Sequence, residues 1–462
     1  MMIRDKVLIY ILLLFTPLLW AQQEQPPEGG DPKDFQLPQT ETFTLENGLE
    51  ITLVQYGTLP KVNASLVIRA GNINEAENEI WLADLTTDYL KEGTTSKSAG
   101  ELAEEAAKIG GQINTSTGMD EIDVSGESLA DFAPQLVALI ADVVQHPLFP
   151  ETELERLKSN MLRNLSVQKS QPQAIAMEKF REALYQNHPY GRIYPTEEMI
   201  KGYSLSQIQA FYDENFNATR AHLYLVGMFN ADEVKQAVEE HFREWQSGES
   251  FEGPLPSPES SQRIFISDRP GAPQSTILMG LPVIDPAHED YIDLQVTNAL
   301  LGGAFSSRIT SNIREDKGYT YSPRSTVSTR YRDAYWTQAA DVSTDVTGDA
   351  LKEIFYEINR LENEPPSKEE LQGTQNYLAG IFVLRNSSRT GIISQLSFVD
   401  LHGLDKSYLT QYVERVHAVT PEDIQEVMEK YLDAGEMTIV LVGDVDKIRS
   451  QVTPYAERIT IF

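Results

Sequence analysis

The chain has 462 residues, of which 41% are hydrophobic and 23% charged, and its formal net charge is -31. These values exclude a disordered chain, and the length suffices for two domains that each bury a core. So acidic a surface disfavours nucleic acid and anionic lipid as partners, because both are negatively charged. The absence of cysteine rules out disulfides, thiolate metal sites and a lipid anchor on cysteine.

The first 21 residues have the parts of a secretory signal peptide. Arg4 and Lys6 precede an apolar run over residues 7–20, which ends before an alanine and a polar stretch. The run is shorter than a membrane span of about 20 residues, so we expect no membrane span after cleavage; a retained N-terminal anchor is the alternative. We predict secretion into a Gram-negative periplasm. Residues 22–40 are rich in Gln, Pro, Glu and Gly and predict a flexible leader.

The folded part is predicted to open with a hairpin and a third strand. Residues 44–53, TLENGLEITL, alternate apolar and polar positions about an Asn-Gly turn, and residues 61–70 continue as a strand. Ser98 and Glu101 have the spacing of a capping box, which predicts a helix that ends at Gly110-Gly111.

A second hairpin and another helix are predicted next. Residues 112–125 alternate through Gly118 as a hairpin does. Ser128 with Asp131 predicts the start of a helix, and Pro147 predicts its end.

A Pro-, Ser-, Gly- and Glu-rich stretch, residues 247–262, predicts a linker between two domains, residues 41–246 and 263–462. Residues 204–232 resemble residues 420–447 without a gap, at a constant offset of 216 residues. Each copy has the pattern of a capped amphipathic helix followed by a buried strand. Helices and strands do not alternate strictly, so we predict an α+β fold of two homologous domains, each a mostly antiparallel sheet with helices on one face.

Several segments resemble the pitrilysin/insulinase-type zinc metallopeptidase family. Residues 80–94, IWLADLTTDYLKEGT, are similar to its zinc helix, and TLENGLEITL and GGQINTSTGMDEIDVSGES are similar to its first strand pairs. Residues 298–325, NALLGGAFSSRITSNIREDKGYTYSPRS, resemble the glycine-containing and Arg/Tyr elements of its second domain. The resemblance spans about residues 40–460. It implies the metallohydrolase clamshell of mitochondrial-processing-peptidase-like proteins, two domains around a central chamber.

The resemblance also places a degenerate zinc motif on this chain. The family's helix carries His-x-x-Glu-His, and the matching residues here are Asp84, Thr87 and Asp88; the downstream glutamate ligand matches Asn164. These oxygen donors favour calcium or magnesium over zinc, and a threonine hydroxyl is no general base at neutral pH. We therefore predict that this chain binds no zinc. Two solvated aspartates are the simplest interpretation, and a weak Ca or Mg site at Asp84 and Asp88 is the alternative. The seven histidines offer no substitute, since no two lie within five residues of each other.

Two further elements carry the functional prediction. The resemblance implies that Arg314 and Tyr321 face a zinc site, where a guanidinium can hold a peptide carbonyl and a phenol can stabilise an oxyanion. Gly302 and Gly303 are interpreted as a flexible segment at the opening of the chamber, with a plain turn as the alternative. They do not form a phosphate loop, because no Gly-Lys-Ser/Thr follows.

The sequence thus resembles the noncatalytic subunit of a bacterial heterodimeric zinc endopeptidase. In that family the zinc helix and the Arg/Tyr element can belong to different chains. We predict a zinc-bearing homologous partner, zinc in that partner alone, and an extended peptide substrate bound as an added strand. The competing hypothesis is a peptide-binding or scaffold protein on an inactive peptidase fold. A third is a hydrolase that acts alone with a carboxylate-bound ion.

Overall fold

The computed structural model describes residues 35–456 and 458–462. The signal peptide, residues 1–21, and most of the leader, residues 22–34, lie outside the described residues, so both stay predictions. In the described part of the chain, no helix combines the length and the apolar composition that crossing a membrane requires.

The framework is a pair of six-stranded mixed sheets, one on each side of the predicted linker, here called the first and second halves. The first sheet has the strand order β1-β2-β6-β3-β5-β4, and only β2 and β6 run parallel. Its strands are β1 Thr40–Thr44, β2 Glu50–Gln55, β3 Lys61–Ile68, β4 Ile113–Thr117, β5 Ile122–Leu129 and β6 Ala221–Gly227. The helices of this half are α1 Leu82–Tyr89, α2 Ala99–Lys108, α3 Ala133–Gln145, α4 Leu154–Ser170, α5 Pro172–Tyr185, α6 Glu197–Gly202, α7 Leu205–Asn215 and α8 Ala231–Phe242.

The second sheet has the order β12-β7-β11-β8-β10-β9, with β7 parallel to both of its neighbours. Its strands are β7 Arg263–Asp268, β8 Gln274–Val283, β9 Arg324–Arg330, β10 Asp333–Ser343, β11 Thr438–Gly443 and β12 Ile459–Ile461. The helices are α9 Tyr291–Asn298, α10 Arg308–Thr310, α11 Thr347–Asn363, α12 Lys368–Arg385, α13 Arg389–Leu401, α14 Ser407–Thr410, α15 Tyr412–Ala418, α16 Pro421–Tyr431 and α17 Val445–Val452.

Local sequence signals set most of the predicted boundaries. The hairpins β1–β2 and β4–β5 form as predicted, and Gly48 in the first turn has a φ of 96° that favours glycine. The Ser98 side chain accepts from the N–H of Glu101, whose carboxylate accepts from Ser98, so the capping box is confirmed.

The helix start predicted at Ser128 is wrong. Ser128 belongs to β5 and pairs with Val62 of β3, and the next helix begins at Ala133. Pairing within the sheet outweighs a local capping signal here. The same helix ends at Gln145, just before Pro147, as predicted.

The predicted repeat is present as two matching units. Helix α7 and helix α16 have identical lengths and are separated by the same 216 residues that relate Ile208 to Ile424. Both begin with a capping box, at Ser204 and at Thr420. The strands that follow, β6 and β11, occupy the same place in the two sheets. The two sheets are therefore versions of one plan.

Helices from the same half cover one face of each sheet, as predicted. In the first sheet, Leu66 and Leu223 pack against helices of the first half. Successive strand residues point to opposite faces, so Val67, Tyr224 and Val226 face the other way. A second apolar face is thus left to be covered.

Helices from the opposite half cover these second faces. Phe382 of α12 and Leu396 of α13 pack against the first sheet. In return, Phe180 and Leu184 of α5 pack against Leu278 of the second sheet. Each such buried side chain contributes about 2 kcal/mol of transfer free energy. Residues 247–261 contain no helix or strand, and the domain limits 41–246 and 263–462 stay predictions because helices cross between the halves.

Candidate functional site

Helix α1 keeps the position that the resemblance assigns to a zinc helix. Leu82, Leu85 and Tyr89 bury its apolar side in the first core. The helix begins after Trp81, whose φ of 69° lies in the left-handed region. The Trp81 ring packs edge-on against Tyr194 with centroids 5.8 Å apart. Apolar packing therefore holds the helix in place without help from a metal.

The Asp84 carboxylate is held by hydrogen bonds within the first half. The Asn72 side-chain amide donates to Asp84 Oδ2 at 2.7 Å and to Glu75 Oε1 at 3.0 Å. The Ala83 N–H also donates to Glu75 Oε1, at 2.9 Å. Asn72, Glu75 and Asp84 form a polar cluster at the start of α1, so Asp84 is half-buried and hydrogen-bonded, and not fully solvated as predicted.

Burial makes this cluster weakly acidic. It raises the pKa of Glu75 to about 8, with the nearby Asp84 carboxylate adding to the effect. It raises the pKa of Asp84 to about 6. Burial also raises the pKa of Asp88, although Lys91 lies 3.6 Å from its carboxylate. Burial thus disfavours negative charge on Asp84 and Asp88, two positions that correspond to the histidines of the family's motif.

The remaining motif positions, Thr87 and Asn164, differ in their surroundings. Thr87 is only 3% exposed, and its hydroxyl is enclosed with no hydrogen-bond partner in the described residues. Asn164 lies exposed on α4. An engaged carboxylate, an enclosed hydroxyl and an exposed amide do not fit a zinc ion, which takes nitrogen, thiolate or carboxylate ligands in a tetrahedron. Residues 35–456 and 458–462 contain no group of three or more His, Cys, Asp or Glu side chains placed to hold a metal.

The Arg/Tyr element has a different character. Arg314 lies in a π-helical turn, Ser311–Asp316, and Gly318 with a φ of 66° lets the chain leave it. The Arg314 guanidinium carbon lies over two aromatic rings, 4.4 Å from the centroid of Phe305 and 5.1 Å from that of Tyr321. Its Nε lies 3.2 Å from the carboxylate of Glu315. The predicted pair is therefore in direct contact.

The two aromatic side chains of this element are exposed. Tyr321 is 81% exposed and Phe305 is 67% exposed, whereas the Arg314 side chain between them is 23% exposed. The sequence analysis did not identify Phe305. A signal was present, because a phenylalanine within the polar and small residues after Gly302-Gly303 has no apolar pattern to join.

Gly302 and Gly303 form part of a second π-helical turn, Ala299–Gly303. Neither glycine has a positive φ. A Cβ on Gly302 would come within 2.7 Å of both Ser325 Oγ and Gln338 Oε1. Close approach of the backbone to buried side chains is thus the reason for glycine at position 302.

The two elements do not meet within this chain. In the described residues, no hydrogen bond, ion pair or aromatic contact joins Arg314 or Tyr321 to Asp84 or Asp88. The guanidinium and the phenol are free of the degenerate motif.

Two family profiles match this sequence. The profile described as Insulinase (Peptidase family M16) matches residues 51–196, and the profile described as Peptidase M16 inactive domain matches residues 203–378. Together they cover more than half of the chain.

Known proteins are similar over most of their length. The chain is 24% identical to the uncharacterized zinc protease YmxG of Bacillus subtilis, over 83% of this chain and 93% of that protein. It is 22% identical to the non-peptidase homolog YmxG of Helicobacter pylori, over 84% and 90%. Identity to the mitochondrial-processing peptidase subunit beta of Bos taurus is 24%, over 89% and 86%.

Solved structures have the same fold. A peptidase M16 inactive domain from Pseudomonas fluorescens matches with a TM-score of 0.81 at 24% identity, covering 88% of this chain and 98% of that chain. A protease from Helicobacter pylori matches with a TM-score of 0.81 at 19% identity, covering 88% and 100%. The predicted α+β fold is confirmed.

Proposed function

Because the chain belongs to peptidase family M16, with an inactive M16-like fold, we propose that it is the noncatalytic subunit of a heterodimeric zinc endopeptidase. A homologous partner would bring the zinc, the two histidines and the glutamate base. This chain would bring Arg314 and Tyr321. The pair would be periplasmic, delivered by the signal peptide proposed for residues 1–21.

One observation carries the proposal: the Arg314 guanidinium lies over the rings of two exposed aromatic residues and makes no contact with the degenerate motif in the described residues. Tyrosine and arginine are among the residues enriched at the energetic centres of interfaces. Packing within the described residues does not account for an exposed tyrosine and an exposed phenylalanine near one arginine. Contact with a partner's active site would account for them.

The chemistry assigned to the two residues follows from their groups. The guanidinium offers several N–H donors in a fixed plane and can hold a peptide carbonyl oxygen. The Tyr321 hydroxyl can donate to the oxyanion that forms when the carbonyl carbon becomes tetrahedral. Zinc, held by the partner, would activate the attacking water.

Peptide binding as an added strand is supported by the first sheet. Strand β4, Ile113–Thr117, ends the sheet and pairs on one side only in the described residues. An edge strand of this kind offers main-chain groups to an extended peptide, with little demand on side-chain identity. We therefore propose extended peptides as substrates.

The test begins with purification of the chain and its partner from the native host. Cleavage of a quenched fluorescent peptide library would be measured for the partner alone and for the pair. We expect the pair to be faster, and Arg314→Ala to lower turnover without loss of co-purification. Arg243→Ala, which removes another exposed arginine, is the matched control and should leave turnover unchanged. Equal rates for the partner alone and for the pair would refute the proposal.

A peptide-binding scaffold is the second candidate. A cavity of about 570 Å³ lies between the first sheet and α13, lined by residues such as Ser65, Asp123 and Ser397. It could hold a peptide without any chemistry. Peptide binding to the isolated chain, combined with no effect of the chain on the partner's turnover, would favour this candidate.

The proposed location has its own test. N-terminal sequencing of the protein purified from a periplasmic fraction should show that it begins near Gln22. Recovery only in the cytosolic fraction with Met1 intact would exclude the signal peptide.

A further inference from the structure

We propose that Phe305 is a positioning residue for Arg314, an inference that rests on the role proposed for Arg314 in peptide cleavage. The rings of Phe305 and Tyr321 form a clamp that fixes the plane of the guanidinium before a peptide arrives. Phe305 acts through Arg314, and the sequence comparisons assign it no role.

The distances favour Phe305 as the main side of the clamp. The guanidinium carbon lies 4.4 Å from its ring centroid and 5.1 Å from that of Tyr321. Both are within the range of attraction between a cation and the face of a ring. The Phe305 ring makes no contact with another aromatic ring in the described residues and remains 67% exposed. Core packing therefore does not explain its presence.

A fixed turn carries Phe305. Gly302 is buried against Ser325 and Gln338, with no room for a Cβ. The Ser325 hydroxyl donates to Asn298 Oδ1 at 2.8 Å, and the Trp336 indole N–H donates to the same oxygen at 2.9 Å. The Ala304 N–H closes the turn on the carbonyl of Ala299 at 3.0 Å. Phe305 thus follows an anchored turn, which gives its ring a defined place.

The clamp leaves the outer nitrogens of Arg314 available. Its one ion pair in the described residues joins Nε to the exposed Glu315 at 3.2 Å. The outer nitrogens of the guanidinium make no hydrogen bond in the described residues, so their N–H groups are left for a peptide oxygen. An arginine on a free side chain would lose rotamer freedom as it engages the peptide oxygen in the transition state, a cost that lowers kcat. The clamp removes much of that loss in advance.

Two measurements test the inference on the full chain. The first is the 1H-15N signal of the Arg314 side chain in the isolated protein, identified with Arg314→Lys. Ring currents from Phe305 and Tyr321 should shift this signal; Phe305→Leu should remove the larger part of the shift, and Phe305→Tyr should keep it. The second is kcat for peptide cleavage by the pair of this chain with its co-purified zinc subunit. Phe305→Leu should lower kcat about fivefold, the size of one exposed cation–π contact, and leave KM within about twofold.

A double-mutant cycle separates positioning from direct action. If Phe305 acts through Arg314, then Phe305→Leu should cost nothing further in the Arg314→Ala background. Leu384→Ala, which truncates another exposed apolar side chain, is the control and should change neither measurement.

The outcomes distinguish this inference from the proposed function. If Arg314→Ala slows cleavage and Phe305→Leu does not, the clamp is wrong and the proposed function stands. Additive losses in the double variant, or an Arg314 signal that Phe305→Leu leaves in place, would also overturn the clamp. If Arg314→Ala has no effect on turnover, both ideas fail.

Discussion

The side chains at the start of helix α1 and those at the turn that carries Arg314 differ in their exposure to solvent. At α1, Asp84 accepts from Asn72, and the Thr87 hydroxyl is enclosed. At the second site, Tyr321 is exposed and Arg314 is held by rings, with a single ion pair to its neighbour Glu315. The first region is directed inward and the second outward.

The difference suggests that the two regions are retained for different reasons, the first for stability and the second for function. At the degenerate motif, Asp84 is hydrogen-bonded and Thr87 is buried within the first half, so both bear on its stability. At the second region, the aromatic side chains that would contact substrate remain exposed to solvent. Substitutions at the first region should therefore change stability, and substitutions at the second should change turnover by the heterodimer.

The largest expected effect comes from restoring the family's glutamate. Thr87→Glu should lower the free energy of unfolding by about 3 kcal/mol, because it buries a carboxylate with no partner. Chemical denaturation would measure it. Thr87→Val is the control and should change stability by less than about 1 kcal/mol, since the hydroxyl makes no hydrogen bond. If Thr87→Glu left the free energy of unfolding unchanged, this region would not be packed as described.

Turnover should respond at the second region instead. Tyr321→Phe should reduce kcat of the heterodimer about 100-fold, the usual cost of losing one oxyanion donor, and leave unfolding within about 0.5 kcal/mol. Tyr356→Phe removes the hydroxyl of another exposed tyrosine and should have no effect on kcat. Equal kcat values for the two variants would contradict the role proposed for Tyr321.

The acidity of the α1 cluster gives a pH dependence. The pKa of Asp84 is raised to about 6 in the folded protein, against an ordinary value of 3.8. The folded state therefore binds this proton more tightly, and its contribution to stability is complete below about pH 4 and is lost as the pH rises through about 6. Asp84→Asn should stabilise the protein by about 1 to 2 kcal/mol at pH 8 relative to its effect at pH 4. Thermal unfolding at the two pH values would measure this, and an equal effect at both would contradict it.

The smallest expected effect is that of metal. Millimolar zinc, calcium or magnesium, or a chelator, should shift the melting temperature by less than about 1 °C, because a ligand stabilises only a state that binds it. Calorimetry on the isolated chain would detect a larger shift. A rise of several degrees with calcium or magnesium would revive the alternative of an ion at Asp84 and Asp88.

What the sequence predicted correctly is local. Hairpin turns, the capping box at Ser98 and the paired helix–strand units depend on residues close together in the chain, so a short pattern is enough. The start at Ser128 failed because a strand partner far away in sequence, Val62, decides the structure there.

The partners of the site residues were beyond local patterns. Asp84 depends on Asn72, twelve residues earlier, and nothing in the helical spacing of α1 indicates that contact. The contact of Arg314 with Phe305 requires two π-helical turns, which no apolar periodicity predicts. The exchange of α5 for α12 and α13 between the sheets is likewise invisible to a pattern read one segment at a time.

That exchange constrains the order in which the molecule can mature. The first sheet is synthesised well before α12 and α13. Val54, Tyr224 and Val226 therefore stay exposed to solvent until residues near 400 have been made. During that interval the nascent chain exposes an apolar sheet surface, which chaperones can bind and through which copies can aggregate. A chain truncated at residue 262 would lack α12 and α13 and would leave this apolar face of the first sheet uncovered.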